Sequence, residues 1–142
     1  MIPQFESFLV DEILDILEDD NDGVENYLTE FNYGRGKPDI IILTKNHEIV
    51  SVEAKLRKWR DALHQAYRNT CFANYSYILL PKEIAQKAFK FQDEFNKRSV
   101  GIYYIEEGKL IEMYKAKKVQ PIQSWLNEKA TDKLLGVGNV YS

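Results

Sequence analysis

Pro38-Asp39-Ile40-Ile41-Ile42 and Ser51-Val52-Glu53-Ala54-Lys55 decide the fold of this chain, because each joins an apolar run to charged residues. Lys45-Asn46-His47-Glu48 supplies a polar turn between them, so we predict two strands of one hairpin. Side chains alternate between the faces of a strand, which would point Glu53 and Lys55 the same way, about 6.6 Å apart along it. Asp39 would lie across from them on the neighbouring strand. Two carboxylates and one ammonium then converge on one spot.

That set of side chains suits metal-assisted hydrolysis of a phosphodiester. Mg²⁺ takes oxygen ligands and is usually held by one or two carboxylates plus substrate phosphates. A nearby ammonium can orient or deprotonate a metal-bound water and offset the charge that grows on the phosphate. The alternative is an ion pair on a half-solvated strand face. Both runs are rich in Ile and Val, which is typical of strands buried on both faces, where acids are rare unless paired or ligating.

At these residues the chain resembles the PD-(D/E)XK nuclease superfamily, with Pro38-Asp39 as the first half of the motif and Glu53-Ala54-Lys55 as the second. The resemblance implies Mg²⁺ as the cofactor, with Mn²⁺ as a substitute. Its ligands would be Asp39, Glu53 and the backbone carbonyl of Ala54. Lys55 would position the attacking water.

The resemblance extends from about Glu30 to Pro81, since a helical pattern begins at Trp59 and a strand pattern at Tyr75. It implies an α/β fold of the restriction-endonuclease-like type. Such a fold has an αβββαβ core and a mixed central sheet flanked by helices.

Three further side chains are candidates for the same site. Glu6 borders the apolar face of the first predicted helix, and an exposed helix acid is the favoured interpretation. Glu30 lies on the strand before the first half-motif, where it either joins the acids or stays at the rim. Gln65 matches the start of the Gln-x-x-x-Tyr motif of RecB-like nucleases, but Asn69 stands at the tyrosine position. Gln65 therefore either contacts the site or a phosphate, or is a surface amide.

The charge is segregated along the chain. The net charge is −3, yet residues 1–34 contain ten acids and no Lys or Arg, so the remainder has 19 basic residues against 12 acids, a local net of +7. Such a surface would track the phosphates of DNA, against the alternative of an ordinary solvated surface. The basic residues expected to form this face are Arg35, Lys37, Arg57, Lys58, Arg60 and Arg68.

Size and composition favour one domain over residues 1–135, followed by a tail at 136–142. No apolar run approaches the roughly 20 residues of a membrane span. The start of the sequence lacks the basic segment of a signal peptide, so we expect a cytoplasmic protein without a membrane partner. The lone Cys71 predicts no internal disulfide, and His47 and His64 have no zinc-binding spacing.

Periodicity predicts the remaining elements. The first helix would bury Phe5, Phe8, Leu9, Ile13, Ile16 and Leu17 and stop near Asp19. Beyond the hairpin strands, we predict strands over 24–33, 75–80, 100–105 and 109–114, helices from Trp59 and over 82–97, and a short helix starting at Pro121.

The sequence therefore predicts a small metal-dependent DNA endonuclease. One site cuts one strand, so cleavage of both strands would require a homodimer. Two alternatives stay open. One is a non-catalytic nucleic-acid-binding or regulatory module, and the other is a nuclease subunit of a larger restriction or repair complex.

Overall fold

A computed structural model describes residues 5–19 and 22–136 of the chain. Within those ranges, every helix is too short or too polar to cross a membrane. The elements follow in the order α1 (Glu6–Asp19), β1 (Val24–Thr29), β2 (Ile40–Thr44), β3 (Ile49–Ala54), α2 (Trp59–Asn69), β4 (Tyr75–Leu79), α3 (Lys82–Phe89), α4 (Gln92–Arg98), β5 (Val100–Glu106), β6 (Lys109–Tyr114) and α5 (Ser124–Leu134).

The six strands form one sheet whose spatial order equals their order in sequence. β1, β2 and β3 form an antiparallel meander, β3, β4 and β5 are parallel, and β6 returns antiparallel to β5. The parallel connections need crossovers, which α2 provides from β3 to β4 and α3 with α4 from β4 to β5. The predicted α/β class, the mixed sheet and the αβββαβ order are confirmed.

Helices cover both faces of this sheet. α1 buries Leu9, Ile13 and Leu17 against the face that carries Ile40 and Val52. The opposite face is covered by α2, α3 and α4 over β4 and β5, and by α5 over β2 and β3. All six residues of β3 are buried, including the polar Ser51 and Glu53, so this strand has no face open to solvent.

The first strand is shorter than predicted, since β1 ends at Thr29 rather than at residue 33. Glu30 has a φ of 57°, a left-handed conformation that a strand cannot accommodate. Phe31 then leaves the sheet and packs on Phe72, with ring centroids 5.5 Å apart. Aromatic burial therefore overrides the strand propensity of this segment.

The single helix predicted over 82–97 is wrong, because the chain forms α3 and α4 with a break between them. Phe91 has φ −111° and ψ 34°, outside the helical region. Its ring stacks on Trp59 with centroids 5.4 Å apart, so the break brings an aromatic side chain onto α2.

Two other boundaries differ. α5 begins at Ser124 rather than at Pro121. The Gln123 N–H donates to the Cys71 carbonyl at 3.0 Å, and this bond holds the segment before α5 against the end of α2. Phe5 and Phe8 are exposed although the pattern placed them on the buried face of α1. Of the predicted tail, only Gly136 falls within the described residues.

Candidate active site

Asp39 ties the start of β2 to the end of β3. The Ala54 N–H donates a hydrogen bond to Asp39 Oδ2 at 2.8 Å. The strand register pairs Ile40 with Val52, which places Asp39 opposite Glu53 in the antiparallel pair. Burial raises the pKa of the Asp39 carboxyl; the hydrogen bond from Ala54 opposes this rise, and the charge of Glu6 adds to it.

Glu53 is the most deeply buried charged group of the site, with 6% of its surface exposed. Asn69 Nδ2 donates to Glu53 Oε2 at 2.8 Å, and the Tyr33 hydroxyl donates to Asn69 Oδ1 at 2.8 Å. Burial raises the pKa of Glu53 from 4.5 to about 7, because the Asn69 hydrogen bond only partly offsets desolvation and the charge of Asp39 raises it further. At neutral pH this carboxyl is near the middle of its titration.

Lys55 directly follows Ala54, the last residue of β3. Its backbone N–H donates to the Leu79 carbonyl at 3.1 Å, and its Nζ lies 3.9 Å from Glu6 Oε1 on α1. The side chain points toward α1, whereas Glu53 is bonded to α2, so strand alternation does not hold beyond Ala54. The prediction that Glu53 and Lys55 point the same way is therefore wrong. Burial raises the pKa of Asp39 and of Glu53, and the charge of Lys55 offsets only a small part of each rise.

The three additional candidate residues, Glu6, Glu30 and Gln65, have different surroundings. Glu6 is exposed, as favoured from its pattern, yet it also contacts Lys55 and receives a long hydrogen bond of 3.5 Å from the Leu56 N–H. Glu30 is an exposed rim acid whose carboxylate is 3.9 Å from Lys37 Nζ. Gln65 is half-buried on α2, one helical turn before the residue that contacts Glu53.

Asn69 was missed as a functional residue. Its position, four residues after Gln65, is the tyrosine position of the RecB-like motif, and that spacing was the available signal. Tyr33 was missed too, since it was assigned to a strand. The loop that replaces the end of that strand brings its hydroxyl to Asn69. Burial raises the pKa of Tyr33 to about 12, so it stays a hydrogen-bond donor at neutral pH.

The predicted basic residues divide into two groups. Burial raises the pKa of Glu53 and of Tyr33, and the charge of Arg68 partly offsets both rises, so Arg68 lies near these two groups. Arg35 has this effect on Tyr33 and so lies near that hydroxyl. Arg57 and Lys58 are exposed in the segment after Lys55.

The other two basic residues are held by acids. Arg60 pairs with Glu94 at 3.0 Å and packs over the Trp59 ring at 4.2 Å, and Lys37 pairs with Glu30. These two are therefore less available to a phosphate than the remaining four.

The acids fit a hard divalent cation by their chemistry. Within residues 5–19 and 22–136 no group of three or more His, Cys, Asp or Glu side chains could hold a metal ion. Asp39 and Glu53 form a pair of carboxylates on neighbouring strands. One oxygen of each is engaged by the Ala54 N–H or by Asn69. Burial raises the pKa of both carboxyls, and the charges of Lys55 and, for Glu53, of Arg68 offset only part of the rise. One or two carboxylates are the usual protein share of an Mg²⁺ shell.

A separate groove of about 780 Å³ lies between α1 and the β5–β6 hairpin. Its wall includes Glu12, Asp15, Asp19 and Lys109 but none of the candidate catalytic residues. The candidate site lies at the adjoining ends of β2 and β3, outside this groove.

Comparison with known proteins supports the fold. SPO1766, a protein of unknown function from Silicibacter pomeroyi, is similar in structure with a TM-score of 0.64 and 16% identity, over 99% of this chain and 90% of that one. SfsA from Pyrococcus furiosus, solved in complex with Ca²⁺, gives a TM-score of 0.39 and 15% identity over 82% of this chain and 62% of that one, which is too weak to support an argument. No family model matches the sequence, and no curated protein matches it.

Proposed function

We propose that this protein is a metal-dependent nuclease of the PD-(D/E)XK type that hydrolyses phosphodiester bonds in DNA. The observation that carries the proposal is the pair of carboxylates Asp39 and Glu53, which the strand register sets opposite each other and whose pKa burial raises, with Lys55 following at the end of β3. Burying two like charges together is costly unless a positive charge joins them. The pair therefore supports the proposal, because a bound cation would offset the repulsion between the two carboxylates.

Asp39 and Glu53 would hold the Mg²⁺ ion, with the Ala54 carbonyl as the further ligand implied by the family resemblance. When bound, such an ion supplies an activated water and neutralises charge on the phosphate. The chain's own groups do the rest of the work. The Ala54 N–H fixes the rotation of the Asp39 carboxylate, and Asn69 fixes that of Glu53. Lys55 would orient the attacking water and offset the charge that develops on the phosphate.

The DNA backbone would be held by the basic residues near the acids. Arg68 and Arg35 lie on the Tyr33 side of the site, and Arg57 and Lys58 follow Lys55. Contacts from such side chains position a nucleic acid without reading its sequence. Cleavage of both strands would require two copies of the site, supplied by a homodimer or by a larger nuclease complex.

A non-catalytic nucleic-acid-binding module is the second candidate. It is favoured by the raised pKa of Glu53, because a carboxyl that burial makes easier to protonate can serve as a neutral hydrogen-bonding group in a site that holds no metal. The two candidates differ in whether a divalent cation binds and whether DNA is cut.

The proposal is tested by incubating the protein with linear, nicked, flapped and branched DNA in Mg²⁺, in Mn²⁺ and in EDTA. We expect cleavage that depends on the cation and is lost in Asp39→Asn. A matched acid outside the site, Glu12→Gln, should leave cleavage unchanged. Tight DNA binding without cleavage of any substrate would favour the non-catalytic module, and cleavage that requires a co-expressed protein would indicate a subunit of a larger complex.

A further inference from the structure

The groove between α1 and the β5–β6 hairpin has an apolar lining that is open to water. Its volume is about 780 Å³. The lining includes four half-buried aliphatic side chains, those of Ile16, Val24, Ile105 and Leu110. Three of them, all except Ile16, also pack on the core beneath α1, so one side of each is already covered. The side that faces the groove is a surface that a partner could cover.

A row of acids on α1 borders this apolar lining. Glu12, Asp15 and Asp19 are exposed, and their spacing of three and four residues places them on one side of the helix. At a rise of about 1.5 Å per residue the row is about 10 Å long. Among the described residues that line the groove, Lys109 is the one Lys or Arg, and it stands on the hairpin side. The groove is therefore negative along α1 and apolar between α1 and the hairpin.

This combination of charge and apolar surface argues against two kinds of ligand. The phosphates of DNA would be repelled by the row of acids. A single metal ion needs ligands that converge on one point, and within residues 5–19 and 22–136 no three His, Cys, Asp or Glu side chains do so. A ligand that matches the whole groove therefore has several positive charges along its length and an apolar side.

We propose that this groove is the docking site for a basic amphipathic helix of a partner protein. A helix binds in an apolar groove through side chains at positions i, i+3, i+4 and i+7. Its apolar side chains would cover the aliphatic lining, and lysines or arginines on its flank would face the row of acids on α1. The inference is independent of the proposed nuclease activity, since the lining of the groove includes neither Asp39 nor Glu53.

The test adds a synthetic peptide to the isotopically labelled full chain and follows the backbone amide signals by NMR. The peptide has about 18 residues, long enough to form a helix in water, with Leu along one side and Lys on the flanks. The signals of Ile16, Ile105 and Leu110 should shift, and those of Asp39 and Glu53 should stay unchanged. Affinity should fall as the salt concentration rises, because salt screens exposed charges.

Charge variants of the groove should change the affinity for this peptide in opposite directions. Glu12→Gln/Asp15→Asn should weaken binding by about fivefold, the usual effect of losing two exposed ion pairs. Lys109→Glu replaces a repelling charge with an attracting one and should strengthen binding by a similar factor, a gain that misfolding does not produce. The matched control is Glu83→Gln/Asp93→Asn, which removes two exposed acids from α3 and α4 on the other face of the sheet and should leave affinity unchanged.

A scrambled peptide of identical composition tests the apolar part of the proposal. It should bind at least about tenfold more weakly, since its Leu side chains no longer lie on one side. Equal affinity for the two peptides, groove signals that do not move at millimolar peptide, or unchanged affinity in Lys109→Glu would overturn the docking site. A homodimer in sedimentation that Glu12→Gln/Asp15→Asn dissociates would overturn it in favour of a second copy of the chain. None of these measurements involves DNA, so the docking site and the nuclease are tested separately.

Discussion

Two acidic regions of the molecule differ in their exposure to water. The wall of the groove beside α1 carries the exposed acids Glu12, Asp15 and Asp19. At the adjoining ends of β2 and β3, Asp39 is partly buried and Glu53 is buried, and burial raises the pKa of both. Water screens the first group, whereas the second must find its positive charge in the protein or in a bound ion. Desolvation, more than the number of acids, distinguishes a candidate site from an acidic surface.

The largest expected effect is on the rate of DNA cleavage, and it compares Lys55 at the candidate site with Lys109 in the groove. Lys55→Ala should lower the rate of DNA cleavage by roughly 10²- to 10³-fold, the usual cost of removing one group that stabilises transition-state charge. DNA affinity should change by less than about twofold, since one phosphate contact at most is lost. Lys109→Ala, in the groove, should leave both rate and affinity unchanged. Equal losses in the two variants would mean that Lys55 has no special role.

Stability against pH tests whether Glu53 is as desolvated as its burial indicates. The folded-state pKa of about 7 lies above the ordinary 4.5, so the folded state binds the proton more tightly than the unfolded state does. This contribution is fully present below pH 4.5 and is lost as the pH rises through 7, on the order of 3 kcal/mol in metal-free buffer.

Glu53→Gln removes that titration, so its unfolding free energy, measured in urea between pH 4.5 and 8.5, should fall less than that of the wild type. Glu12→Gln, which leaves Glu53 intact, should retain the wild-type slope. An identical slope in wild type and Glu53→Gln would show that Glu53 is solvated in the folded protein.

The next largest effect is expected from the hydrogen bond between Asn69 and Glu53, on the pKa of Glu53 and on the unfolding free energy. Asn69→Ala removes the group that lowers the pKa of Glu53, so that pKa, followed by NMR of the side-chain carboxyl, should move further upward. The unfolding free energy should fall by about 1–3 kcal/mol, because the buried Glu53 and the half-buried Tyr33 both lose their partner. Tyr33→Phe should cost less, about 1 kcal/mol, and should leave the pKa of Glu53 nearly in place. An unchanged Glu53 pKa in Asn69→Ala would show that Asn69 does not hydrogen-bond to Glu53.

The smallest effect concerns DNA affinity. Arg68→Ala should weaken binding about equally for all sequences and reduce the slope of log affinity against log salt by about one, as expected for one phosphate contact. Arg60→Ala is the matched control, because that guanidinium already pairs with Glu94. Fluorescence anisotropy over a range of NaCl concentrations measures both slopes. A steeper loss for Arg60→Ala would place the DNA on the Trp59 side of α2 instead.

The sequence predicts the strands and the acid pair because both follow from local pattern. Runs rich in Ile and Val are typical of doubly buried strands, and the antiparallel register then sets Asp39 opposite Glu53. The direction of Lys55 was not predictable from alternation, since β3 ends one residue earlier and the side chain meets Glu6, which is 49 positions away in sequence.

Tertiary contacts also decide the features that the pattern missed. The loop after β1 exists because Phe31 finds a pocket formed by residues far along the chain, and it carries Tyr33 to Asn69. The break between α3 and α4 depends on Phe91 reaching Trp59. Local propensity contains no information on such partners.

The most direct test is a crystal of the protein soaked in Mn²⁺ and measured by anomalous diffraction. The desolvated pair should attract the ion more strongly than the exposed acids of the groove. We predict a peak between the carboxylates of Asp39 and Glu53 that is lost in Glu53→Gln crystals. A peak confined to Glu12, Asp15 and Asp19, or no peak between Asp39 and Glu53 at saturating Mn²⁺, would contradict the metal-dependent nuclease.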